Sequence, residues 1–397
     1  MADDSSPERP DDGEPNPFAG FPMFGDLARA LQGQGPLNWD AARQFATLGA
    51  TDGQAEHNVD PAVRIAYADL ARIAGMHVND VTGSDTAFPE PRIVTRSQWA
   101  AETLEAYRPL FTDLATSLGQ QPDETNADTS DPMLQMMAGI SKMMQPAMMG
   151  MSVGSMVGAL SKRVFGLHDL PIPRGRQEVV LVARTIDDFA GQWEIPIDQM
   201  RLWVLAHELS GYQVFAIDHL RETLTSLVRS YAGGFRPDPS SLADQLGGLD
   251  PLGGGDDPLQ ALQQAFSDPE VLLGAVQSPE QRAMQPRLDA AVAAVVGYTD
   301  WVVDAVAVRV IGGEALRVAE AVRRQRVERT PDDVFVEKLL GIRVGDDQVA
   351  RGKSFVQGVV DRVGEHGLTR LLRMPDSLPT ANELDAPGLW IARVSGE

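Results

Sequence analysis

Apolar residues recur at helical spacing along most of the chain, which indicates a mainly helical fold. They lie three or four positions apart from Pro61 to about Val78, and again from Ser97, a suitable N-cap, to about Leu118. Val179–Val182 is the best strand candidate. The pattern predicts further helices over about 186–192, 196–211, 219–231, 287–310, 314–326, 332–340 and 346–363, followed by a proline-punctuated tail from Pro375. The expected fold class is therefore mainly α with a small β element.

Changes in composition divide the chain into five regions. Residues 1–36 are predicted to form a disordered acidic tail, and residues 233–285 are predicted to form an exposed insertion rich in Gly, Pro and Asp. Residues 37–125 form an N-terminal helical region, 126–232 carry Met-rich helices and a motif helix, and 286–397 form a C-terminal helical region.

The segment 132–162 carries nine methionines and a glycine stripe at Gly150, Gly154 and Gly158. Such a stripe allows another helix to approach closely. The apolar part, from Pro146 to Leu160, is shorter than the roughly twenty residues of a membrane span. A buried hairpin or core helix is favoured, and a partner-binding methionine surface is the alternative.

Composition excludes several functions. The 397 residues carry a formal net charge of -22, which disfavours nucleic-acid binding because phosphate backbones are repelled. The short basic cluster from Arg323 to Arg326 lies where a helix should end, and the negative end of the helix dipole favours cations there.

The chain has no cysteine, so a transition metal would need His, Asp or Glu ligands. The absence of cysteine suits a cytoplasmic protein, and no secretory signal is visible in the acidic N-terminus.

The run His207-Glu208-Leu209-Ser210-Gly211 resembles an H-E-x-x-H zinc motif that has lost its second histidine. Histidines four residues apart share one helix face and bind one zinc ion, while the glutamate activates the bound water. Gly211 has no side chain to offer. A bare His-Glu pair is also common on half-buried helices, so an ordinary structural role is the alternative. The sequence lacks the local motifs of serine hydrolases, P-loop proteins and dinucleotide-binding proteins.

Several blocks in order resemble the actinobacterial zincin-like proteins, a group of zinc-dependent metalloproteases or hydrolases, some of which are associated with deazaflavin-coenzyme biosynthesis. The resemblance runs from about residue 60 to the C-terminus. The matching blocks are 94–99, 165–171, 201–208, 296–300, 337–341, 378–380 and 387–391.

This resemblance implies a zincin-like fold, with His207 as a vestigial zinc ligand, Glu208 as a vestigial general base and Asp300 as a partner that orients a ligand histidine. In typical members a glutamate of a later E-G-Y-x-D motif resembles the third ligand, but Val296 stands at that position here. Since a catalytic zinc needs about three protein ligands, the chain is expected to lack zinc and other cofactors.

Three functions follow as hypotheses. The first is a catalytically inactive relative whose cleft binds a peptide, a protein or a small ligand. The second is a working zinc metalloprotease that recruits substitute ligands from Asp218, His219 or Asp304. The third is a helical scaffold that uses the Met-rich hairpin.

His168, beside Asp169 in a turn, is interpreted as a structural hydrogen-bonding residue.

Overall fold

The computed structural model describes residues 35–118, 132–236, 278–328 and 337–396. The predicted acidic tail and most of the predicted 233–285 insertion lie outside these residues. The helices of the first part are α1 (Trp39–Thr51), α2 (Pro61–Thr82), α3 (Arg96–Ala106), α4 (Arg108–Leu118), α5 (Pro132–Leu160), α6 (Ala183–Gln192), α7 (Ile197–Phe215) and α8 (Asp218–Ala232). Those of the second part are α9 (Pro279–Val310), α10 (Ala315–Val327), α11 (Asp346–Val363), α12 (His366–Arg373), α13 (Ala381–Asp385) and α14 (Pro387–Ser395).

The mainly helical fold class is confirmed, with corrections at several boundaries. The stretch predicted as one helix from Ser97 to Leu118 is two helices that meet at Tyr107. Helix α9 begins at Pro279, earlier than expected, and carries Pro286 inside it. The proline-punctuated C-terminal tail folds into α13 and α14, because Thr380 caps one helix and Pro387 starts the next. Most of the helix predicted over 332–340 lies outside the described residues.

Two short strands pair in parallel. The predicted strand is confirmed as β2 (Val180–Val182), and its partner β1 (Arg92–Val94) was not predicted. On the other side of β2, Leu181 bridges Gly166, and the Val182 N–H donates to the Phe165 carbonyl at 2.8 Å. The strand pair therefore fixes the segment that carries His168.

Helix α9 lies at the centre of the fold and packs against α7 and α11. It approaches α11 closely, since a Cβ on Gly297 would lie 2.2 Å from the backbone carbon of Gly352. By length and composition α9 could cross a membrane, but its apolar stretch is mostly buried, as in a core helix. Its packing brings Asp300 towards the helix that carries His207.

The Met-rich segment is one long helix, α5, rather than a hairpin. Its predicted glycine stripe packs on α1 and its N-cap. A Cβ on Gly154 would lie 2.3 Å from the carbonyl oxygen of Ala42, one on Gly150 would lie 2.2 Å from that of Asn38, and one on Gly158 would lie 2.6 Å from that of Ala46. The stripe thus joins two helices of the same chain, while Met148 and Met151 remain exposed.

Candidate functional site

His207 and Glu208 lie in the buried middle of α7. The helix begins after Pro196, and Asp198 in its first turn favours the positive end of the helix dipole. Almost every side chain from Trp203 to Gly211 is then enclosed, because α2, α6 and α9 cover different faces of α7. His207 is 4% exposed and Glu208 is 0% exposed.

The carboxylate of Glu208 is held by the segment beside β2. It accepts hydrogen bonds from the backbone N–H groups of Leu167 at 3.0 Å and His168 at 2.9 Å. The Nδ1 atom of His168 lies 2.9 Å from its Oε2, and this nitrogen carries the proton because a carboxylate only accepts. Gly166 permits the approach, since a Cβ there would lie 2.3 Å from Cδ of Glu208. The charge of Glu208 is therefore satisfied inside the protein.

The His168 ring occupies the space beside Gly211. A Cβ on Gly211 would lie 2.5 Å from Cγ of His168, closer than real Cβ atoms come to such neighbours. The ring also stacks on Phe215, with centroids 5.5 Å apart. A histidine from another segment thus fills the place where the motif's second histidine would begin. The structural role predicted for His168 agrees with this geometry, but its partner is Glu208, forty positions away in sequence, rather than local backbone.

His207 stacks on Trp203 one helical turn earlier, with centroids 5.6 Å apart. Its Nδ1 lies 3.7 Å from Oε1 of Glu208, an ion-pair distance that is too long for a hydrogen bond. Burial alone would lower the pKa of His207, but the nearby carboxylates of Glu208 and Asp169 outweigh it and the pKa is raised. The same two carboxylates therefore hold a proton on His207 more tightly than on a free imidazole, and a metal would have to displace it.

Asp300 pairs with Arg326 at the end of α10, with Nη1 and Oδ2 3.0 Å apart. Burial raises the pKa of Asp300, but the adjacent guanidinium outweighs it and the pKa is lowered. Arg326 lies at the end of a helix, as predicted, and it also neutralises the charge of a buried carboxylate. The hydrogen bonds of Asp300 go to this arginine and not to a histidine.

Asp169 is a second carboxylate that the sequence did not assign to the site. Its Oδ2 accepts from the N–H groups of Phe165 at 2.6 Å and Gly166 at 2.8 Å. Burial raises its pKa in spite of the attraction of His207. Asp169 therefore fixes the turn that presents His168, forming a local loop bond of the kind short polar side chains often make.

Two of the three proposed substitute ligands form ion pairs with neighbouring cations. Asp218 pairs with Arg221 within α8, and Asp304 pairs with Lys353 at 2.6 Å. His219 lines a separate cavity that also contains Asp376. Within the described ranges, no three His, Asp or Glu side chains are placed to hold a metal ion. The residues present do not fit a catalytic zinc site.

A cleft of about 540 Å³ opens next to this cluster, between α9, α10 and α11. Trp203 and the Asp300–Arg326 pair form its inner wall, and the strongly exposed Leu316 lies on its rim. The indole N–H of Trp203 is buried without an acceptor in the part of the chain that the structure describes. The cleft has the size of a small-molecule or peptide side-chain site.

Comparisons with known proteins agree with this architecture. A family model described as zincin-like metallopeptidase matches residues 37–391. A crystal structure from Chloroflexus aurantiacus, titled as that of a "putative hydrolase with a novel fold", has 23% sequence identity and a TM-score of 0.60, and the match covers 91% of this chain and 99% of that one. At this identity the likeness shows a shared fold. No match is found among curated proteins.

Proposed function

Since the chain belongs to the zincin-like metallopeptidase family, we propose that it is a metal-free member whose cleft binds a peptide or small ligand without hydrolysing it. The observation that carries this proposal is the bond between His168 and Glu208, made in the space beside Gly211. Glu208, the general-base position of the motif, and the space beside Gly211, its second-histidine position, are thus both used for an internal structural contact.

Zinc-dependent hydrolysis has two requirements that these residues do not meet. The metal needs about three ligands and an open water position, but no side-chain lone pair is available at Gly211 or Val296. The general base must reach the attacking water, whereas Glu208 is fully enclosed and its oxygens already accept three hydrogen bonds.

Binding remains possible because the adjacent cleft is intact. Its rim offers the apolar surface of Leu316 beside several acidic residues. A ligand with an apolar group would match this rim.

Hydrolysis is tested with a mixture of fluorogenic peptides, incubated with the protein in added zinc and in a chelator. We expect the same background rate in both conditions, because zinc has no site to occupy. Cleavage that zinc restores and the chelator removes would refute the proposal.

Binding is tested on a peptide array with the wild type, Leu316→Asp and Leu389→Asp. Leu316 is 79% exposed and lines the cleft, while Leu389 is 57% exposed and does not line it. We expect the wild type and Leu389→Asp to retain the same peptides, and Leu316→Asp to lose them. Equal retention by all three proteins, or by none, would contradict a role for the cleft.

A further inference from the structure

A second groove, of about 690 Å³, lies on another part of the protein, between α4, α8 and the segment 172–175. Tyr107 holds this segment in place, because its hydroxyl donates to the Ile172 carbonyl at 2.8 Å. The groove is therefore a formed feature of the fold with the size of a small-molecule site.

Three arginines line this groove, and two of them are compensated. Arg229 forms an ion pair with Asp113 at 2.7 Å. Arg221 pairs with Asp218 and also donates to the Phe215 carbonyl at 3.2 Å. These two side chains have their charges balanced by the protein itself.

The third, Arg174, has no acidic partner among the residues that the structure describes. Its Nη2 donates to Thr103 Oγ1 at 2.6 Å, while its Nε is buried without an acceptor among the described residues. In the same part of the chain, no carboxylate lies within 4.0 Å of the guanidinium. A half-buried cation without a counter-ion is unusual in a chain with a net charge of -22.

Two aromatic rings hold this cation in place. The guanidinium carbon lies 5.5 Å from the centroid of Trp99 and 5.1 Å from that of Tyr107. Stacking fixes the plane of the guanidinium, and because Nε is buried and Nη2 donates to Thr103, Nη1 is the nitrogen left for a ligand. Carboxylate and phosphate oxygens form the strongest hydrogen bonds with a charged guanidinium N–H.

The other residues that line the groove indicate the chemistry of the rest of the ligand. Leu110, Ile172 and Pro173 supply apolar surface, and Thr225 and Ser226 supply hydroxyl groups. We propose that this groove is a binding site for a small organic anion, whose carboxylate or phosphate pairs with Arg174 and whose apolar part lies against Leu110 and Ile172. This site is independent of zinc and of the cleft beside Trp203.

The test is isothermal titration of the full chain at low salt with three probes: 3-phenylpropionate, phenyl phosphate and the neutral 3-phenylpropionamide. We expect at least one anion to bind and the amide to bind about tenfold more weakly, as the loss of a charged hydrogen bond implies. Comparison of the two anions shows whether a carboxylate or a phosphate is preferred. Equal binding of the amide, or no binding of either anion, would overturn the proposal.

Variants locate the site. Arg174→Met keeps the apolar contacts with the rings but removes the charge, and it should lose anion binding. Arg176→Met removes the same charge from a side chain that is 89% exposed and does not line the groove, so it should bind as the wild type does. Ser226→Trp fills the groove from the exposed side of α8 and should block binding even if Arg174→Met fails to fold. Wild-type affinity in either Arg174→Met or Ser226→Trp would refute the assignment.

Discussion

Glu208→Gln is expected to reduce the free energy of unfolding by about 3–5 kcal/mol, as the loss of one partner of a buried pair does. The two carboxylate oxygens of Glu208 now accept from three donors, the backbone N–H groups of Leu167 and His168 and the His168 ring. In the variant, one of these oxygens is replaced by an NH₂ group, which donates and does not accept. At least one buried donor would then lack an acceptor. In a working zinc peptidase the same change would remove the general base while the metal held the site together.

The measurement is urea unfolding of the wild type, Glu208→Gln and the exposed control Glu222→Gln. The control should stay within about 0.5 kcal/mol of the wild type, since surface changes have small effects. A Glu208→Gln protein that is as stable as the control would show that the carboxylate has no structural role.

The pH dependence provides a second check on the same carboxylate. Burial raises the pKa of Glu208, but His168 and His207 together outweigh it and the pKa falls below its usual 4.5. Stabilisation by a carboxylate with a lowered pKa is fully present above its usual value and is lost as pH falls through the lowered value. The stability difference between the wild type and Glu208→Gln should therefore be largest near neutral pH and shrink in acid.

Gly211→His, which restores the H-E-x-x-H pattern, is expected to destabilise the protein by about 3 kcal/mol, as overpacking of a tight core does. The Cβ atom alone would lie 2.5 Å from Cγ and 2.6 Å from Cβ of His168. To make room, the His168 ring would have to move away from Glu208. A change that creates the H-E-x-x-H pattern would thus break the contact between His168 and Glu208.

Thermal unfolding of a small set of variants tests this explanation. Gly211→Ala should already destabilise the protein, whereas Gly191→Ala, also in a helix but with open space around its Cβ, should be neutral or stabilising. His168→Gly combined with Gly211→His should be less destabilised than the sum of the two single changes. Wild-type stability in Gly211→Ala would contradict the steric argument.

The sequence predicted the helices well wherever apolar spacing was regular, and the weak points have physical causes. Strand β1 is only three residues long, so it has no periodicity to detect, and it exists because β2 supplies a partner. The C-terminal prolines indicated a tail, but Pro387 is the first residue of a helix, a position that proline tolerates. Tyr107 ends α3 two residues before Pro109, a proline signal that the apolar spacing alone had not revealed.

At the candidate site, the sequence identified the residues on each helix but not the contacts between helices. The loss of a side chain at Gly211 is visible in the sequence, and the buried position of His207 and Glu208 follows from their apolar neighbours. No local signal could show that His168 reaches Glu208 or that Arg326 turns towards Asp300, because these contacts depend on how distant segments pack. His168 had no metal-ligand spacing, and its role became clear only from the space beside Gly211.

We propose that this family member does not bind catalytic zinc at His207. The most direct measurement is the zinc content of the purified protein by elemental analysis, made on the wild type and His207→Ala after incubation with zinc and removal of excess. We expect no bound zinc in either protein. About one zinc per chain in the wild type that disappears in His207→Ala would contradict the proposal, because a site with that stoichiometry requires ligands that the described residues do not bring together.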